Sequence, residues 1–96
     1  MMEEFVYLIE PVRNNFIETM TPDEIEIMSA HFQYLKDLLS EGKLILAGPC
    51  LDGAFGIVVF RAGSLESARD IMEKDPSVAA GIMKAVLHPY RVSLIQ

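Results

Sequence analysis

Two short stretches, Phe5-Val6-Tyr7-Leu8-Ile9 and Ile57-Val58-Val59-Phe60, are apolar at every position rather than at every second one. A strand that faces water on one side alternates, so strands without alternation need cover on both faces. In a chain of 96 residues that places both in the middle of one small sheet, and residues 1–96 are expected to form a single domain around one core. Folding at this length hides only roughly 60–65% of the unfolded surface. Hydrophobic residues nevertheless make up 51% of the chain, and the mean hydropathy is +0.28. A second subunit is therefore expected to cover part of the surface.

The remaining elements follow from local signals. Phe5 to Glu10 reads as a strand ended by Pro11, and Val12 to Met20, which has no sustained period, as a surface loop. Thr21-Pro22-Asp23-Glu24 combines a capping threonine, a first-turn proline and the glutamate of a capping box, so a helix should start there and run to about Glu41, with Gly42 closing it. Ile25, Met28, Phe32, Leu35 and Leu39 form the stripe expected to face the sheet, with Ile27, His31, Tyr34 and Leu38 as a second row beside it. Lys43 to Ala47 is the next strand, stopped by Gly48-Pro49, and Asp52-Gly53 turns the chain into Phe55 to Arg61. Ser64 caps a second helix that Asp75-Pro76 ends. After a connection over Ser77 to Gly81, Met83 to Val92 is a last strand, confined to a sheet edge by Pro89.

This order, β-α-β-β-α-β, is that of a ferredoxin-like α+β fold with an antiparallel sheet ordered 4-1-3-2. Right-handed crossovers put both helices on the same face, leaving the other apolar face bare. Such a patch marks an interface, so the expected assembly is a homodimer packed sheet to sheet, a dimeric α+β barrel.

Fourteen acidic residues against eight basic ones give a net charge of −6, which argues against nucleic acid and against anionic membrane surfaces as partners. The single cysteine, Cys50, has no internal disulfide partner, no Cys/His cluster has metal-ligand spacing, and no export signal precedes Phe5. A cytoplasmic protein without metal or cofactor is the expectation. Phosphate-cradling glycine loops and nucleophile elbows are also absent from the sequence.

His31 is the strongest titratable candidate, because imidazole changes charge near neutral pH and this one borders the packed stripe. The competing reading is a core histidine that hydrogen-bonds a neighbour. Asp75 could hold an imidazole in one tautomer, as the carboxylate of a triad does, or could be a turn residue before proline. Arg13 could meet an anionic ligand group from the loop, and Tyr34 is a further candidate on the helix. His88 reads as structural or interfacial, and Cys50 as packing.

The stretches His31-Phe32-Gln33-Tyr34-Leu35-Lys36, Gly42-Lys43-Leu44-Ile45-Leu46-Ala47-Gly48-Pro49, Ser64-Leu65-Glu66-Ser67-Ala68 and Asp75-Pro76-Ser77-Val78-Ala79-Ala80-Gly81 together resemble the YciI-like (YCII-related) family over nearly the whole chain. The resemblance implies the dimeric α+β barrel and an active-site dyad at the positions of His31 and Asp75. An arginine often found shortly before the family histidine is missing, since Met28-Ser29-Ala30 stands there. One branch similar in domain eliminates chloride from a chlorinated hydroxyhydroquinone without a cofactor. The function expected on this basis is cofactor-independent proton transfer by His31 and Asp75, an elimination or isomerisation of a small hydroxylated aromatic or carbonyl compound. Arg13, Tyr34, Gly48 and Pro49 are the expected substrate contacts. A non-catalytic ligand-binding module or accessory subunit is the alternative. Replacing either dyad residue is expected to abolish ligand binding or turnover with little change in thermal stability.

Overall fold

The computed structural model describes residues 2–96. Its first strand, β1 (Glu3–Pro11), pairs antiparallel on one side with β3 (Gly56–Ala62) and on the other with β4 (Met83–Tyr90). β2 (Leu44–Pro49) adds outside β3, so the four-stranded sheet has the order β2-β3-β1-β4. The two runs without alternation are thus the two central strands. Their register, with Phe5 opposite Phe60 and Tyr7 opposite Val58, turns Phe5, Tyr7, Ile9, Val58 and Phe60 into the core. Val6 and Val59 pair on the opposite face.

α1 (Pro22–Ser40) begins on a complete capping box: Glu24 donates its backbone N–H to the Thr21 hydroxyl, and the Glu24 carboxylate accepts from the Thr21 backbone N–H. It ends at Gly42, whose φ of 76° is open to glycine without a Cβ clash and lets the chain turn directly into β2. α2 (Leu65–Glu73) starts where the Ser64 hydroxyl accepts from the Ser67 N–H. A single further turn, α3 (Pro76–Ala79), follows with Asp75 as its N-cap. Among the described residues, no helix is long and apolar enough to cross a membrane.

Several local expectations need correction. The face of α1 that packs inward is centred on His31, Leu35 and Leu38, whereas Ile25, Phe32 and Leu39, expected to face the sheet, are exposed. Two adjacent apolar rows leave the centre of the buried face undetermined, and it falls between them, with Leu35 from one row and His31 and Leu38 from the other. Gly48 and Pro49 continue β2 rather than stopping it, because Pro49 at the sheet edge needs no ladder N–H. Within Val12 to Met20 a 3₁₀ turn forms at Ile17–Thr19, pinned by the buried Phe16. The Ser77 to Gly81 connection contains most of α3, and β4 ends at Tyr90 instead of Val92.

Candidate active site

Three separate elements deliver polar groups to one point under the helices. Tyr7 lies at the middle of β1 on its helix-covered face, His31 halfway along α1, and Asp75 and Ser77 at the junction of α2 and α3. Proline at position 76 forces the break after α2, and the Asp75 side chain caps the new turn by accepting from the Ser77 N–H at 3.0 Å. The turn therefore aims a carboxylate inward, where it is 0% exposed.

Burying a charge in this way is costly unless donors surround it. Here they do. The Tyr7 hydroxyl donates to Oδ2 at 2.6 Å and the Ser77 hydroxyl to Oδ1 at 2.8 Å. His31 Nδ1 lies 2.8 Å from Oδ1 and 2.9 Å from Oδ2. Burial pushes the Asp75 carboxyl upward, but the hydrogen bonds from His31 and Tyr7, the His31 charge and the Ser77 bond outweigh it, holding the group below the ordinary carboxylate range. For Tyr7, burial first and the Asp75 charge and hydrogen bond next push the hydroxyl well above a normal tyrosine, so it remains a neutral donor. With a backbone N–H, two hydroxyls and an imidazole all turned on it, the carboxylate has only acceptor roles, which fixes the proton of a neutral His31 on Nδ1.

The other ring nitrogen has a different surrounding. Among the described residues no hydrogen bond engages His31 Nε2, and no side-chain nitrogen or oxygen is both buried and unpaired. Nε2 therefore reaches accessible space, and His31 lines a cleft of about 840 Å³ between α1 and the β2–β3 hairpin. Its walls are mainly aliphatic and aromatic, with Phe32, Leu46, Phe55 and Val58 among them. Gly48 and Pro49 also line it, as part of the β2 wall.

Arg13 does not reach this cleft. Its guanidinium makes a two-pronged contact with Glu24, at 2.6 and 2.8 Å, and donates to the Thr19 carbonyl at 2.8 Å while resting on the Phe16 ring. That contact, together with the Thr21 bonds, draws the Glu24 carboxyl down to about 2. Arg13 thus fastens the loop to the start of α1 instead of supplying the missing cation. Tyr34 likewise lies outside the cleft lining and donates to the Ile71 carbonyl at 2.7 Å, tying α1 to α2. Burial, followed by the charges of Asp75, Asp70 and Glu41, pushes its hydroxyl up to about 12. His88 is exposed opposite Val6, on the helix-free face. Among the described residues, no group of His, Cys, Asp or Glu side chains is placed to hold a metal ion.

Sequence reasoning missed Tyr7 and Ser77. Tyr7 was read as one apolar residue in a strand, and the only available signal was that a fully covered tyrosine needs a partner for its hydroxyl. Ser77 was visible as a small polar residue at the second position of a proline-started helix, two residues after an N-capping aspartate.

Residues 4–87 match the YCII-related domain. The chain belongs to the YCII-related family. A relative in that family, the uncharacterized protein YjpA of Bacillus subtilis (strain 168), is 33% identical over 67 residues, spanning 70% of this chain and 79% of its own. Among solved structures, 5-chloro-2-hydroxyhydroquinone dehydrochlorinase (TftG) from Burkholderia phenoliruptrix AC1100, in complex with 2,5-dihydroxybenzoquinone, superposes with a TM-score of 0.67 over 91% of this chain and 93% of that one. At 20% sequence identity this likeness establishes the shared ferredoxin-like α+β fold. The family match also covers the segments that carry His31 and Asp75.

Proposed function

We propose that this YCII-related protein is a cofactor-independent acid–base catalyst acting on a small hydroxylated aromatic or carbonyl compound. The observation that carries this reading is the asymmetry of His31: Nδ1 is held by an anionic, fully buried Asp75, while Nε2 has no hydrogen-bond partner among the described residues and the residue lines an apolar cleft. In the proposed cycle, Nε2 accepts a proton from a hydroxyl or from a carbon next to a carbonyl. The electron pair left behind forms the new double bond, and in an elimination a leaving group departs with the pair of the bond that breaks. Asp75 stabilises the resulting imidazolium, which returns its proton to product or water. Such assistance contributes on the order of 10²–10⁴ in rate, enough for enolisations and eliminations that are already feasible. The dehydrochlorinase neighbour, whose substrate is a chlorinated hydroxyhydroquinone, supports that class of compound as the place to begin.

The proposed assembly is a homodimer through the helix-free sheet face. Val86 and Tyr90 on β4 are exposed apolar residues there, and a standard interface of ~1,600 Å² would cover them. Leu8→Asp, on the same face opposite Val86, is expected to give monomers by light scattering. An unchanged mass for that variant would exclude this face. Cys50, half-buried and without a disulfide, fits a reducing compartment such as the cytoplasm.

The function is tested by assaying the wild type and His31→Ala against a panel of hydroxylated aromatics that includes 5-chloro-2-hydroxyhydroquinone, with chloride release and solvent-deuterium incorporation as readouts. A loss of about 10²–10⁴ in the variant is expected. Turnover that survives His31→Ala undiminished would overturn the mechanism, and saturable binding without any turnover would make the protein a ligand-binding module.

A further inference from the structure

The cleft differs in charge from the rest of the molecule. Although the chain carries fourteen acidic residues and a net charge of −6, none of those carboxylates lines the cleft. Lys36 does, and it is the one permanently cationic side chain among the described lining residues. Its ammonium lies 5.1 Å above the centre of the Phe32 ring, also in the lining. Among the described residues it makes no ion pair: the pairs are Arg13 with Glu24, His31 with Asp75, Lys43 with Glu41, and Lys74 with Asp70. Carboxylates have thus taken up both Arg13 and the Nδ1 side of His31, while Lys36 keeps its charge free at an apolar wall.

We infer that the cleft selects anionic ligands with a flat apolar body, a carboxylate, phenolate or enolate on an aromatic or conjugated frame, and that Lys36 is the residue that reads the negative charge. This deepens the proposed function and rests on the cleft being the ligand site. The apolar walls supply the bulk of the affinity through area removed from water. Next to such walls the ammonium acts through a lower effective dielectric than it would in open water, which strengthens its pull on an anion. An anion in the cleft has no carboxylate in the wall to repel it, and it suits the chemistry proposed for Nε2, because enolisable and phenolic compounds gain negative charge as they lose a proton. Lys36 favours the form carrying that charge.

The experiment uses two probes of nearly the same shape, 1-naphthoate and 1-naphthamide, titrated into the whole protein by calorimetry at low salt and about pH 8, above the ordinary imidazole range. Backbone amide shifts of His31 and Phe32 report whether the cleft is occupied. The wild type should bind the carboxylate about fivefold more tightly than the amide. Lys36→Met, which keeps an unbranched apolar side chain of similar length and removes the charge, should remove that preference, and Lys36→Arg should retain it. Raising the salt to about 0.5 M should shrink the wild-type preference towards unity. Equal affinities in the wild type, or a preference that survives Lys36→Met, would overturn the role of Lys36 while leaving the cleft as the ligand site. Binding of neither probe, or binding that leaves the His31 and Phe32 signals unmoved, would overturn both.

Discussion

The two sides of the His31 ring are built on opposite principles. Towards α3, space is filled and every polar group is matched: Tyr7, Asp75 and Ser77 are each 0% exposed, and the carboxylate accepts from all the donors around it. Towards the β2–β3 hairpin there is an open, mainly apolar cleft whose walls include the exposed Phe32, Leu39 and Leu46. The first side is expensive to alter, because each of its members satisfies another buried group. The second can vary with little effect on folding. One half of the site therefore specifies a protonation state and the other a ligand, and substitutions on the two sides should have different signatures.

The largest effect is expected from Asp75→Asn. An amide nitrogen in the place of Oδ2 turns donors on the Tyr7 hydroxyl and His31 Nδ1, which themselves donate there, while the amide oxygen can still cap α3, so chemical denaturation should show a loss on the order of 3–5 kcal/mol. This departs from the expectation that either member of a dyad set in a cleft can be replaced with little change in thermal stability, because Asp75 is 0% exposed and ringed by buried donors. A loss below about 1 kcal/mol would mean that the network is not held as described.

Tyr7→Phe and Ser77→Ala should each cost about 1–2 kcal/mol. The Tyr7 ring packs edge-on against Phe60, with centroids 5.6 Å apart, and phenylalanine preserves that contact, so the first variant isolates the hydroxyl. Because both residues serve one carboxylate, the double variant should depart from additivity, which a double-mutant cycle measures. Strict additivity would show two independent hydrogen bonds rather than a unit.

The same network sets the pH range of stability. Asp75 has a folded-state pKa below its unfolded one, so its contribution is complete above the ordinary carboxylate value of ~4 and is lost as the pH falls through the folded value. Tyr7 is shifted the other way. Above the ordinary tyrosine value of ~10 the unfolded chain releases that proton while the folded one keeps it, so stability declines as the pH rises further. Tyr7→Phe should make the alkaline decline shallower. An unchanged alkaline limb would place the Tyr7 hydroxyl in contact with water.

On the cleft side the effects on stability should be smallest. Phe32→Ala and Leu46→Ala, both at exposed positions, should change unfolding free energy by about 0.5 kcal/mol or less while weakening ligand binding. A large loss of stability in the monomeric protein would show that this wall belongs to the core.

How much of this was legible beforehand differs along the same line. The sheet order followed from the two unbroken apolar runs and Pro89, since burial on both faces and a missing ladder donor each admit few positions. The pairing of His31 with Asp75 came from family resemblance, because residues 44 positions apart carry no local signal of contact. The centre of the α1 stripe was misjudged for a physical reason: His31 counts as polar in a hydropathy pattern, yet Asp75, Tyr7 and Ser77 make it a core residue. Arg13 looked free because its partner Glu24 was already assigned to the capping box, and a carboxylate with two oxygens served both. The cleft itself lies between a helix and a hairpin, and no periodicity within either one describes the space between them.

The central claim is that the carboxylate fixes the imidazole with its proton on Nδ1 and leaves Nε2 free to act as a base. Nitrogen-15 NMR of protein labelled at histidine, followed to the alkaline end of the titration and compared with His31→Ala to assign the signals, tests this without a known substrate. Neutral His31 is expected as one tautomer, protonated at Nδ1 and bare at Nε2, retained until the protein unfolds. A neutral ring protonated at Nε2, or one averaging freely between the two forms, would contradict it.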